Sequence, residues 1–133
     1  MDILERSDNS KIFETPFGFT LSLINGKWKM IILYLLSEFQ PVRFNELKRQ
    51  IGPITYKTLS RQLKELETAD LVIRKEYPQI PPKVEYRLSN LGKSLIPILD
   101  SMCYWGLEQL ENRGEDYITI GKIDKDKLLD NHK

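Results

Sequence analysis

Residues 41–88 read PVRFNELKRQIGPITYKTLSRQLKELETADLVIRKEYPQIPPKVEYRL, and the order of signals inside this stretch decides the fold. Phe44, Leu47 and Ile51 recur at helical spacing, which predicts a short helix over 43–51. Gly52 and Pro53 then force a turn, since proline cannot continue a helix. Thr55 is suited to cap the next helix, with Ile54 placed to staple onto Leu59. That helix, from Tyr56 to about Ala69, carries Leu59, Leu63 and Leu66 as its buried stripe. At roughly 100° per residue, Lys57, Ser60, Arg61 and Lys64 fall on the far side and Tyr56 on the flank. The strand-forming runs 71–77 and 83–88 follow, joined by a loop stiffened by Pro78, Pro81 and Pro82, and predict a hairpin. Helix, tight turn, basic amphipathic helix and hairpin spell a winged helix-turn-helix: mostly α with a small β-hairpin, an α+β chain.

The chemistry follows from that geometry. In a helix-turn-helix the second helix enters the major groove, where each base pair shows a distinct pattern of donors and acceptors. Tyr56, Lys57, Ser60 and Arg61 are therefore the candidate base readers, and Arg61 suits the O6 and N7 atoms of guanine. Thr55, Lys64 and the unbonded amides at the helix start would hold phosphates. Lys75, Gln79 and Lys83 would form the wing contact, and Lys27, Arg43 and Asn45 would touch the flanking backbone. Trp28, spaced with Ile31, Ile32 and Leu35, is expected in the core and not as a stacking platform for bases. A helix with leucines inside and lysines outside is usually only a solvated surface. The Gly-Pro turn, the hairpin that follows at once and the uneven charge distribution speak for a nucleic-acid face.

The charge is uneven but not large. The 133 residues carry a net charge of +1, so the protein is no general nucleic-acid coat. Between Lys27 and Lys64, however, stand Lys27, Lys29, Arg43, Lys48, Arg49, Lys57, Arg61 and Lys64 against only Glu38 and Glu46, and the acidic residues after Leu110 restore the balance.

Outward from the motif, residues 1–14 read as a loose arm and Pro16 as a first-turn residue of a helix that Asn25 and Gly26 end. Residues 27–37 predict a helix with a wide buried side. Ser89 can cap one long final helix through Leu91, Leu95, Ile98, Leu99, Met102, Trp105 and Leu110, in which Pro97 would introduce a kink or remove one hydrogen bond. Three segments result: the arm 1–14, the winged unit 15–113 with its flanking helices, and a tail 114–133 that is mobile or forms a short helix over 124–129.

Several function classes drop out. With His132 the one histidine, in the tail, no Ser-His-Asp or Cys-His arrangement has a placed base, and metal sites lack ligands. Glu65, Glu67 and Asp70 serve solubility. No enzyme, metal or cofactor is expected. The single cysteine, Cys103, excludes an intrachain disulfide framework, the polar N-terminus lacks a secretory signal, and the longest apolar run, 30–36, is far shorter than the roughly 20 residues that span a bilayer. A soluble, cytoplasmic protein without a membrane partner is expected.

Several runs occur in an order that strongly resembles the HxlR-type winged helix-turn-helix regulators of bacteria and archaea: 23–29 (LINGKWK), 43–47 (RFNEL), 59–66 (LSRQLKEL) and 77–86 (YPQIPPKVEY). The resemblance spans about residues 15–106. It implies a homodimer that binds double-stranded DNA at a palindromic operator, with N- and C-terminal helices packing across the two-fold. Leu21, Leu95, Leu99, Met102, Trp105 and Leu110 are the corresponding dimerisation candidates. Many members of that family resemble one another in a cysteine directly before the proline matching Pro16, and in some a thiol there senses oxidants. Thr15 occupies that position here, which excludes a thiol switch at that site; Cys103 is expected to be an inert packing residue. Two alternatives stay open: a winged helix turned to protein interaction, and a regulator holding a small-molecule effector between its dimer helices and the winged unit.

Overall fold

The computed structural model of the chain describes residues 11–120. Its elements are α1 (Pro16–Ile24), α2 (Lys29–Phe39), β1 (Val42–Arg43), α3 (Phe44–Ile51), α4 (Tyr56–Thr68), β2 (Val72–Tyr77), β3 (Lys83–Leu88), α5 (Asn90–Lys93) and α6 (Ile96–Arg113). The core gathers where their apolar faces meet: Ile32 and Leu36 from α2, Leu47 from α3, Leu59 and Leu66 from α4 are fully excluded from water, with Leu63, Leu71 and Leu88 at 1%. Trp28 is half-buried against this core, as its spacing implied.

Caps fix where the helices start. The Thr15 hydroxyl accepts from the Gly18 amide at 3.1 Å, the Thr55 hydroxyl from Thr58 at 3.1 Å and the Ser89 hydroxyl from Gly92 at 2.9 Å, each satisfying one of the amides that a helix start leaves unbonded. Pro16 sits in the first turn of α1, where its missing N–H costs nothing.

Three expectations need revision, and a fourth, the hairpin, is borne out and extended. Part of the loose arm is ordered: Lys11–Glu14 form a 3-10 turn tied to α1, with the amide of Thr15 donating to the Ile12 carbonyl at 3.2 Å. The remainder of the arm lies outside the described residues, as does the helix expected over 124–129.

The second helix is displaced. Lys27 and Trp28 precede it, and it runs through Phe39, because the break is imposed by Pro41, which drives Gln40 into an extended conformation (φ −64°, ψ 144°).

The hairpin is in fact the larger part of a three-stranded antiparallel sheet in the order β1-β3-β2. Val42 pairs with Tyr86 and Arg43 with Glu85, and the Gln40 side-chain oxygen accepts from the Leu88 amide at 2.8 Å, extending the ladder past the end of β1. Across the wing, Val72 pairs with Leu88 and Tyr77 with Lys83.

The long final helix is two helices. The Pro97 ring would collide with the carbonyl four residues back, so the chain breaks at Ser94 and Leu95 and Pro97 enters the first turn of α6, where it introduces no kink. α5 is locked to the base of the wing. A Cβ at Gly92 would lie 2.1 Å from the Leu71 carbonyl oxygen, and the Ser89 hydroxyl donates to the Asp70 carbonyl at 2.6 Å. Gly92→Ala is therefore expected to lower stability by about 1–3 kcal/mol, the usual cost of overpacking, visible as a lower urea midpoint with an unchanged slope. An unchanged midpoint would mean that α5 can lift off the wing without loss.

Candidate nucleic-acid interface

α3 and α4 meet at Gly52, whose φ of +88° turns the chain and which glycine adopts without penalty. Leu47 pins α3 inward while Leu59, Leu63 and Leu66 pin α4, so the opposite side of α4 faces water. Thr55, Tyr56, Lys57, Ser60, Arg61 and Lys64 are all exposed. Among the described residues, Lys57, Arg61 and Lys64 form no ion pair. Their charge is available to a polyanion. The amides of Tyr56 and Lys57, which have no carbonyl one turn back, add the positive end of the helix to the same face.

Other cations near the motif are already engaged. Lys29 bridges α2 to Glu65 of α4 at 3.5 Å and keeps only 14% of its side chain exposed, so it ties the two helices together. Arg49 grips Glu46 at 2.6 Å, and together with Gln50 it holds the Glu46 carboxyl below its ordinary pKa. Arg43 and Asn45 are exposed at the start of α3, and Lys27 packs over the Trp28 ring at 4.6 Å in the bend before α2.

Tyr56 is held in place, which the sequence did not reveal. Its ring stacks on Phe44 of α3 with 5.9 Å between centroids and 12° between planes, and the Lys48 amine lies 4.9 Å from its centre. The ring is still 62% exposed. A rigid aromatic presented at the start of α4 costs little side-chain entropy on binding. Lys48 joins the candidate set by this contact. Its spacing from Phe44 puts it on one face of α3, but only the fold brings that face to Tyr56.

The wing repeats the device. Lys75 of β2 and Lys83 of β3 lie 4.9 Å and 4.6 Å from the Tyr77 ring centre, so both cations are gathered on one aromatic. Gln79 is exposed in the loop, beside an Ile80 that is completely exposed.

The dimerisation candidates divide between two faces of α6. Leu99 and Leu107 are buried in the protein's own interior and Leu95 and Leu110 half-buried, whereas Ile98, Met102 and Trp105 are 46%, 53% and 66% exposed. At i, i+4 and i+7 these last three form an apolar stripe of the kind that packs against another helix. On α1, Leu21 is half-buried while Phe17 and Phe19 are 66% and 62% exposed. Cys103 lies on the inner side of α6 near Tyr34, and burial, reinforced by the Asp100 and Glu38 carboxylates, pushes its thiol pKa up. Burial also raises that of Tyr34.

The sequence between residues 23 and 114 matches the family model described as HxlR-like helix-turn-helix. The chain belongs to that family. An uncharacterized HTH-type transcriptional regulator of Halalkalibacterium halodurans is 66% identical over 101 residues, 76% of this chain and 89% of the relative. The uncharacterized HTH-type transcriptional regulator YdzF of Bacillus subtilis is 54% identical over 96 residues, 72% of this chain and 88% of the relative. Among solved structures, the redox regulator HypR in its reduced form superposes with a TM-score of 0.68 at 44% identity, covering 77% of this chain and all of that one. This HxlR-like chain is thus a DNA-binding transcriptional regulator of winged helix-turn-helix fold, in a family of regulators and not of enzymes. Among the described residues no His, Cys, Asp or Glu cluster could hold a metal, and no single helix is long and apolar enough to cross a membrane.

Proposed function

We propose that the protein acts in the cytoplasm as a homodimer on a palindromic operator, with the unit of residues 15–113 supplying both the reading head and the dimer contact. The observation that carries this reading is the cationic face of α4, in no ion pair among the described residues and led by a Tyr56 stacked on Phe44 with the Lys48 amine close to its ring. Tyr56, Lys57, Ser60 and Arg61 read bases. Thr55, Lys64, Lys48, Arg43 and Asn45 hold phosphates, and Lys75, Gln79 and Lys83 carry the wing along the adjacent backbone. Phe17, Phe19, Ile98, Met102 and Trp105 bury against a second copy, since large apolar side chains left exposed on α1 and along one stripe of α6 are of the kind that interaction sites cover. Two α4 helices then reach successive major grooves on one side of the duplex.

A fluorescence-anisotropy titration against a duplex from the region upstream of its own gene, and against a shuffled duplex, tests this at several salt concentrations. The expected preference for the native duplex is at least about 10³-fold, with log affinity falling linearly as log salt rises. Equal affinity for the two duplexes would overturn it and favour a protein-interaction module.

HypR is described as a redox regulator, but the features here point away from thiol sensing. Thr15 serves as a helix cap, and Cys103, the single cysteine, has a thiol whose pKa burial pushes up, which lowers its reactivity. Operator affinity is expected to change less than twofold on treatment with diamide, in the wild type and in Cys103→Ser alike. A large loss confined to the wild type would make Cys103 the sensor.

A further inference from the structure

A cavity of about 570 Å³ opens between α2, the turn joining α3 to α4, and α6, within the range of roughly 300–1,000 Å³ that small-molecule sites occupy. We propose that it binds a small aromatic carboxylate of one or two rings, and that occupancy changes the affinity of the regulator for DNA. The inference rests on the DNA-binding reading above for its second half only.

The ligand class follows from the walls. Trp28, Ile31, Leu35, Ile51, Leu99 and Met102 offer flat and branched apolar surface, which favours a planar apolar body. Among the described residues, Lys27 is the only charged one lining the cavity. Its amine lies 4.6 Å from the centre of the Trp28 ring and, among the described residues, in no ion pair, so it can pair with an anion seated at that end of the cavity. Among the described residues no acidic side chain lines the cavity, and because Asp100 and Glu38 disfavour negative charge at Cys103 and Tyr34 on its far wall, the anion belongs at the Lys27 end, where the Gln50 amide can donate to it.

The coupling follows from what else the walls are. Gln50, Ile51 and Pro53 flank Gly52, the residue that turns α3 into α4. An occupant wedged between these residues and Leu99 on α6 bears on that hinge, and through Phe44 of α3 on the stacked Tyr56. Met102 lines the cavity and also belongs to the outer stripe of α6, so the occupant touches the proposed subunit contact as well. A ligand acting at both places shifts the equilibrium between DNA-competent and incompetent arrangements by its difference in affinity for the two.

Isothermal titration of the full chain with benzoate, 2-naphthoate and the uncharged 2-naphthamide tests the site, and operator titration with and without 2-naphthoate tests the coupling. At least one acid is expected to bind once per chain with Kd below 1 mM. Lys27→Gln should weaken the acid at least tenfold while changing 2-naphthamide less than twofold, and Ile31→Trp, which fills the cavity from a partly exposed position, should abolish both. Saturating acid should change operator affinity at least fivefold in the wild type and not in Ile31→Trp. Absence of saturable binding by either acid overturns the site; so does binding indifferent to both substitutions. Binding that follows the substitutions while operator affinity stays constant overturns the regulatory half. A chain that binds the acid as expected but prefers no duplex would contradict the regulator reading and leave the ligand site standing.

Discussion

Arg61→Ala is expected to weaken operator binding by about 2–6 kcal/mol, on the order of 30-fold to 10⁴-fold, because each lost guanine contact is worth about 1–3 kcal/mol and a two-fold complex loses two. Arg61 stands on the exposed side of α4 and, among the described residues, no carboxylate holds it, so the change removes a reader without disturbing an ion pair there. The signature is as informative as the size. Affinity for a shuffled duplex should fall much less, so discrimination collapses. Lys83→Ala, on the wing, should weaken native and shuffled duplexes alike and reduce the salt slope. Anisotropy titrations of both variants on both duplexes check this. A uniform loss for Arg61→Ala would demote it to a phosphate contact.

Trp105→Glu is expected to separate the subunits. A tryptophan 66% exposed in the protomer, next to Met102 and Ile98, is the type of side chain that dominates interfaces, where truncation costs at least about 2 kcal/mol and up to 4–8. A carboxylate there, buried twice across a two-fold axis, should raise the dimer dissociation constant by on the order of 10³ or more. Light scattering after size exclusion should then show monomers at micromolar concentration, and operator binding should fall to the non-specific level. Leu107→Ala is the matching control. Leu107 lies on the inner side of the same helix at 6% exposure, so its truncation should cost about 2–5 kcal/mol of folding stability instead. If Trp105→Glu stayed dimeric, the outer stripe of α6 would not be the contact.

The two stripes of α6 show where sequence reasoning stops. Leu95, Leu99, Met102, Trp105 and Leu110 all recur at helical spacing, and periodicity alone gives an apolar helix without saying which part its own domain covers. Only the packing of α6 on α2 separates Leu99 from Trp105. By contrast, the cap, the leucine stripe and the exposed cations of α4 were legible, since they depend on neighbours within a few positions. The wing strands were legible for the same reason. β1 was not, because two residues carry no alternation and their partners lie some forty positions away. The same distance hid the Lys29–Glu65 bridge, the Phe44–Tyr56–Lys48 stack and the cavity beside Lys27. Pro97 was seen, but its consequence was misjudged: a proline can kink a helix or begin one, and the close approach of Gly92 to Leu71 favours the second.

The most direct test of the central claim is a methylation-interference footprint, on both strands, of the duplex the protein prefers. Two recognition helices held by one dimer predict two major-groove patches of interfering guanines, related by a two-fold axis and centred one helical turn or a whole multiple apart. The patches should fade together in Trp105→Glu, and single guanines within each should drop out in Arg61→Ala. A single patch without symmetry, or the same footprint in Trp105→Glu, would contradict the reading of this protein as a two-fold reader.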